Sequence, residues 1–244
     1  MKPSVSIVVA TYGRLEHFRK LVLSIRAAFP KDAYEIIAVS SDPTHCEKME
    51  WMVAQPDINV IPAGTRMPGE HRSKSLYYFE NIGIKASSHE WIFVTNDDTE
   101  FDPLFYTSFV PMADNWDVIM VSGHLGEVGL GCRTAVIGTI TPPGGHFANP
   151  LYLYDFTIIR KSVYEQIGYL DEGLNWFHKG FDLAMKCETL LPPLRVCYVS
   201  DLKVNHAIAA EGRCPPPSSG DANYATNKWN NWCRSTGWRF TWPV

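Results

Sequence analysis

Four short apolar runs, three of them closing on polar residues, constrain the fold of this chain more than any other feature. Ser4 to Ala10 (SVSIVVA), Tyr34 to Ser40 (YEIIAVS), Ile58 to Ile61 and Glu90 to Thr95 (EWIFVT) are rich in β-branched residues and too short for ordinary helices. Between the first two, Leu15, Phe18, Val22, Ile25 and Phe29 recur at helical spacing. A second helix is expected around Cys46 to Ala54. A third is expected to close at Ser87, after a Pro/Gly-rich basic segment from Pro62 to Arg72. The order βαβαβ, followed by another strand, implies a parallel sheet with right-handed crossovers. The expected fold class is α/β, a Rossmann-like sandwich whose central, mostly parallel sheet is flanked by helices.

Beyond Asp102-Pro103 the pattern continues as a helix, a strand near Asp117 to Ser122 and a glycine-rich loop from Gly123 to Gly145. That loop is long enough to suggest a mobile active-site segment. A strand follows over Tyr152 to Arg160, then a helix from Phe181 to Leu191 stopped by Pro192-Pro193, then strands at Leu194 to Tyr198 and Leu202 to His206. From Glu211 the tail is rich in Pro, Ser, Asn and Trp. No internal repeat or low-complexity linker divides the 244 residues, so one domain is expected.

Charge excludes one class of partner. With 22 basic against 26 acidic residues the chain has no cationic excess, so no nucleic acid is expected as a ligand. The six cysteines show neither CxxC nor zinc spacing and are expected to be reduced. No basic leader precedes the first strand, and no apolar run approaches the roughly 20 residues that span a membrane. A cytoplasmic protein without a transmembrane segment is the expectation. Trp229, Trp232, Trp238 and Trp242 offer faces for sugar rings or for peripheral membrane association, although packing of the tail on the domain explains them more simply.

Ligands of open α/β sheets sit beyond the carboxyl ends of the strands, and three such ends carry ATYGR, SSDP and NDD. Adjacent Asp97 and Asp98 repel one another unless something positive lies beside them. A divalent cation held by one or two carboxylates, with positions left for phosphate oxygens, meets that need; a turn with a helix cap before Pro103 is the alternative. His206, ending a late strand, is placed to bring an imidazole to the same ion or simply to pack. A mixed carboxylate and imidazole site favours Mn2+ over Mg2+. Asp42, beyond the second strand, can accept a hydrogen bond from the N3–H of uracil or thymine, or make an Asx turn before Pro43. Thr11 and Tyr12 stand where a base would pack. Gly64, Arg66, Gly69, His71, Arg72 and Lys74 form a basic loop suited to a diphosphate, with Arg72 the preferred contact.

These segments, SIVVATYGR, YEIIAVSSDP, the Asn81-Ile82-Gly83 of FENIGIKASS, WIFVTNDDTEFDP and VNHA, resemble the family two glycosyltransferases of the GT-A fold. The match in order and spacing covers residues 4 to 105, with thinner support to 206. The resemblance implies a nucleotide-sugar-binding half (1–100), an acceptor and catalytic half (101–206) with a small antiparallel sheet, and a tail (207–244). It implies base contacts by Thr11, Tyr12 and Asp42, ribose contact by Asp97 and metal ligation by Asp98 and His206. Asn96 departs from the usual first Asp of the family's DxD-like motif. The family's catalytic base opens a late helix, and Asp182 is the carboxylate there, with Asp171 and Glu172 as fallback. An acid stabilised by the helix dipole is the competing explanation for Asp182. The implied activity is metal-dependent, inverting transfer of a sugar from a nucleoside diphosphate donor, UDP favoured, to a hydroxyl of a glycan or related acceptor. Two other readings stay open. Gly64-Thr65-Arg66 is similar to a nucleotidyltransferase phosphate loop, though it does not follow the first strand. Asn96 and the missing Glu-Asp pair suit a non-catalytic carbohydrate-binding protein.

Overall fold

Each of the first strands alternates its side chains between two buried layers, which is why the runs are apolar throughout rather than at every second residue. In β1 (Val5–Thr11), Val5, Ile7 and Val9 enter one core cluster and Val8 the other; in β2 (Tyr34–Ser40), Ile36 and Ala38 oppose Ile37 and Val39 in the same way. Trp91 and Phe93 against Ile92 and Val94 repeat the pattern in β4 (Trp91–Asn96). The computed structural model describes residues 2–41, 46–64, 75–125, 138–139, 156–174, 179–188, 190, 194–206, 223–224 and 227–230.

Strand β1 pairs in parallel with β2 on one side and β4 on the other, and β2 pairs in parallel with β3 (Ile58–Pro62). The chain thus runs outward from β1 to β3 and then crosses back to β4, so connections leave β1 and β4 in opposite directions. Such a reversal opens a crevice at the carboxyl ends of the two strands. Helices α1 (Leu15–Ala28), α2 (Cys46–Val53) and α4 (Phe105–Ala113) cover one face; α3 (Leu76–Ala86), α5 (Lys161–Ile167) and α6 (Lys179–Glu188) cover the other. Among the described residues, no helix is long and apolar enough to cross a membrane.

The second half extends the same sheet. Strand β8 (Thr157–Arg160) lies antiparallel between β4 and β6 (Val118–Leu125), and β9 (Arg195–His206) runs parallel to β6. Strands β5 (Thr99–Phe101) and β7 (Gly138–Thr139) pair antiparallel with β9, giving the small antiparallel part, which is continuous with the large sheet. The longest ladders are parallel, as expected for the α/β class.

Several elements differ from the sequence pattern. The strands expected at 194–198 and 202–206 are one strand, interrupted where Val121 pairs with Val199 but Ser122 pairs with Lys203. Three extra residues on β9 form a bulge there, which breaks the apolar alternation without ending the ladder. Strand β6 continues through Gly123 to Leu125 because β9 still offers it Val204, Asn205 and His206. The loop expected from Gly123 therefore begins later, and it contains β7. Helix α5 follows β8 without a break and ends at Gly168, whose φ of 73° places it in the left-handed region that closes helices.

Two contacts fix the helices on the sheet. Gly83 lets α3 approach β1 closely: a Cβ there would stand 2.4 Å from Val8 Cγ1 and 3.1 Å from Val39 Cγ2. Arg26 of α1 donates to Asp57 (Nε to Oδ2, 2.9 Å; Nη2 to Oδ1, 2.5 Å), and the Tyr34 hydroxyl donates to the same carboxylate at 2.8 Å. The hydrogen bonds from Arg26 and Tyr34 hold Asp57 below the usual carboxylate range, against partial burial.

Gly83→Ala gains about 1 kcal/mol of helix propensity, but overpacking against a stiff β-branched side chain costs about 1–3 kcal/mol. At 2.4 Å the clash dominates, so the urea midpoint should fall. For Asp57, a depressed folded-state pKa gives stability that is present above the unfolded value of about 3.9 and is lost as pH falls through the folded value. Unfolding free energies compared at pH 5 and pH 3 should therefore drop less in Asp57→Asn than in the wild type.

Candidate active site

At the end of β1 the backbone carbonyl of Thr11 accepts hydrogen bonds from Ser41 N at 3.1 Å and from the buried Lys48 Nζ at 3.5 Å, tying together the mouths of β1 and β2. The Thr11 hydroxyl turns the other way and donates to Asp97 Oδ2 at 2.9 Å. Tyr12 is 48% exposed beside this junction. Gly13, with φ of 65°, turns the chain out of β1 before α1 begins. Arg14 then bridges to both acidic residues at the end of β4: Nη1 donates to Asp98 Oδ2 at 2.8 Å, and Nη2 pairs with Asp97 Oδ1.

The two adjacent acids occupy different environments. Asp97 is 2% exposed and both of its oxygens are engaged, by Thr11 and by Arg14. Burial pushes the Asp97 carboxyl up, opposed by Arg14 and the Thr11 hydroxyl. Asp98 is also partly desolvated, but the hydrogen bond and charge of His206, with the charge of Arg14, outweigh that burial and bring it down to about 2. The same two carboxylates raise the Arg14 pKa despite its own desolvation.

His206 reaches this point because it is the last residue of β9, directly opposite Thr99 of β5. Its ring packs edge-on against Phe156 at 5.0 Å, and Phe156 belongs with Phe93, Phe101 and Phe105 to an aromatic cluster under the site. Nε2 lies 3.0 Å from Asp98 Oδ1 and 3.1 Å from Asn96 Nδ2, while Nδ1 is buried without a hydrogen-bond partner. One nitrogen cannot both donate to the carboxylate and accept from the amide. If Nε2 carries the proton, the Asn96 amide must turn its oxygen inward; if it does not, its lone pair faces a carboxylate oxygen. A cation between Oδ1 and Nε2 resolves the second case. Asp98 and His206 are thus the two residues here that could hold a divalent metal, which would supply positive charge beside the carboxylates. Among the described residues, no group of three or more His, Cys, Asp and Glu side chains is gathered to hold one.

The carboxylates considered for a base lie in a different network. Asp182, in the first turn of α6, is buried and accepts from Lys228 Nζ at 2.6 Å and Trp229 Nε1 at 3.0 Å; Lys186 Nζ stands 3.4 Å from its other oxygen. Asp171 pairs with the same Lys228 ammonium and accepts from Gly173 N at 2.9 Å; Lys228 and Gly173 lower its pKa against burial. Glu172 Oε1 accepts from Asn81 Nδ2 at 2.8 Å. Among the described residues, the hydrogen bonds of these acids reach Lys228, Trp229, Gly173 and Asn81, and none joins them to Asp97, Asp98 or His206. Trp229 is buried in the core cluster on the α3 face, which is the packing expected of a tail tryptophan. Asp42, Arg72 and the rest of the basic loop from 65, Trp232, Trp238 and Trp242 lie outside the described residues.

Sequence reasoning missed Arg14 and Lys228. Arg14 stands in the quoted ATYGR segment, and the requirement for positive charge beside Asp97 and Asp98 pointed to it as much as to a metal. Lys228 had no local signal.

No protein-family model matches the chain, and no curated protein matches it. Among solved structures it is similar to S. aureus TarS 1–349, at TM-score 0.60 and 17% identity over 83% of this chain and 60% of that one. The same fragment in complex with UDP gives 0.61 at 16%, and in complex with UDP-GlcNAc 0.60 at 18%. The chain therefore spans about 60% of the length of that fragment. The likeness shows a GT-A-like glycosyltransferase fold.

Thr11→Val keeps the shape of the side chain but leaves Asp97 Oδ2 without its donor in a buried place. Hydrogen bonds to charged groups contribute about 1.5–3 kcal/mol, and urea unfolding should show a loss of that order.

Proposed function

We propose that this protein is a metal-dependent, inverting glycosyltransferase of the family two kind, which moves a sugar from a UDP-sugar to a hydroxyl of a glycan or related acceptor. The observation that carries the reading is the convergence of Asp98 Oδ1 and His206 Nε2, 3.0 Å apart, at the crevice where the strand connections reverse. The fold shared with TarS, which has been crystallised with UDP and with UDP-GlcNAc, supports the choice of donor.

In this reading residues 1–100 bind the donor, residues 101–206 bind the acceptor and carry the base, and 207–244 are the C-terminal tail. Tyr12, with its exposed ring, and Thr11 flank the nucleobase; Asp42 accepts from its N3–H, and Arg72 reaches the diphosphate. Asp97 acts from behind, holding Thr11 and Arg14 in place, and contacts the ribose only if one of those bonds opens. Asp98 and His206 hold the divalent cation, Mn2+ in preference to Mg2+, which would supply positive charge to the departing diphosphate.

Asp182 takes the proton from the acceptor hydroxyl. The hydroxyl oxygen then bonds to the anomeric carbon as the bond from that carbon to the diphosphate breaks, and the pair of electrons leaves with the nucleotide. Lys228 and Trp229 cover Asp182, so the acceptor has to displace them before transfer. That cover also favours a second reading, a carbohydrate-binding protein that retains the scaffold without turnover.

Calorimetric titration with UDP, with and without Mn2+ and with GDP and CMP as controls, separates the two readings. Metal-dependent UDP binding that Asp98→Asn removes is expected. Asp182→Asn should keep that binding and lose transfer by about 10²–10⁴-fold, the scale of general base catalysis. Glycan binding without nucleotide binding would instead establish the non-catalytic reading.

A further inference from the structure

The Arg14 guanidinium has a feature that donor binding alone does not explain. It is 40% exposed, while the two carboxylates it joins are 2% and 10% exposed. It also uses the Asp98 oxygen that faces away from His206: Nη1 is on Oδ2, whereas Nε2 is on Oδ1. Arginine and a metal ion therefore share one carboxylate without competing for one atom. Asp97 fixes the other end of the fork, with its remaining oxygen held by Thr11. The guanidinium is thus built into the site as a permanent charge.

We infer that Arg14 makes metal binding conditional on the nucleotide. The inference rests on the Asp98–His206 metal site proposed above. Asp97 and Asp98 bring two negative charges and Arg14 removes one, leaving a single net charge against a divalent ion. A metal bound alone leaves the cluster positive. A diphosphate, which brings at least two negative charges, offsets that positive excess, so metal and nucleotide enter together. Without Arg14 the two carboxylates match the ion unaided, and the metal binds before any donor arrives. The Arg14 fork is in this sense a positioning residue that couples metal binding to nucleotide binding.

The test is Mn2+ binding to the full chain, read from the electron paramagnetic resonance signal of free Mn2+, with and without UDP. Wild type should bind Mn2+ weakly alone and more tightly with UDP. Arg14→Gln should bind Mn2+ alone at least ~10-fold more tightly, because an unscreened charge a few ångströms away is removed from a partly buried site, and UDP should add less. Arg14→Lys keeps the charge and should stay near wild type. His206→Ala placed on Arg14→Gln should abolish the gain. If Arg14→Gln does not fold, as judged by near-ultraviolet circular dichroism, Arg14→Met takes its place. Unchanged Mn2+ affinity in the neutral variants, beside UDP-assisted binding that needs His206, overturns the role of Arg14 and leaves the metal site standing. UDP-assisted binding indifferent to His206→Ala overturns both.

Discussion

Two carboxylates on neighbouring residues, at the end of a strand buried on both faces, cannot both stay ionised without positive charge close by. Everything at the mouth of this sheet answers to that constraint. Arg14 and the Thr11 hydroxyl come from the end of β1 and the turn after it and His206 from the end of β9, so two distant segments meet on Asp97 and Asp98. The consequence is that the two acids differ in character: one is sealed into the protein and fully bonded, while the other keeps one oxygen directed at an imidazole.

The architecture places these segments together before any side chain is chosen. Parallel pairing puts the carboxyl ends of β1, β2 and β4 at one edge, and the reversal of connections separates β2 from β4 by only the width of β1. Beneath, the aromatic cluster of Phe93, Phe101, Phe105 and Phe156 anchors β5 and supports the His206 ring. The Ser24 hydroxyl of α1 also accepts from Phe101 N at 3.0 Å, which bonds α1 directly to β5. A helix entered through Arg14 is thus tied at two points to the strands that carry the acids.

The central sheet was legible in the sequence because strands buried on both faces leave continuous apolar runs, and β2 occupies the expected residues, Tyr34–Ser40. Strands β5 and β7 left no such trace, being three and two residues long and defined by partners far along the chain. The single strand β9 was read as two because its bulge interrupts the alternation. In the site, an acid pair at a strand end announced a need for positive charge but not its source. Arg14 is 83 and 84 residues from the acids, and Lys228 is 46 from Asp182. Pairings of that range leave no local periodicity to read, so the covering of Asp182 emerged only from the folded chain.

The bulge in β9 also acts as a length gauge. Below it, Val199 is in step with Val121; above it, Lys203 is in step with Ser122, and His206 faces Thr99. Because strand side chains alternate at every residue, losing one residue between 200 and 202 would turn Asn205 toward the acids and His206 away. Substitutions in this stretch and changes in its length are therefore different kinds of event. The first alters a side chain, whereas the second rotates the whole end of the strand, so relatives that keep the imidazole in place must also keep the spacing behind it.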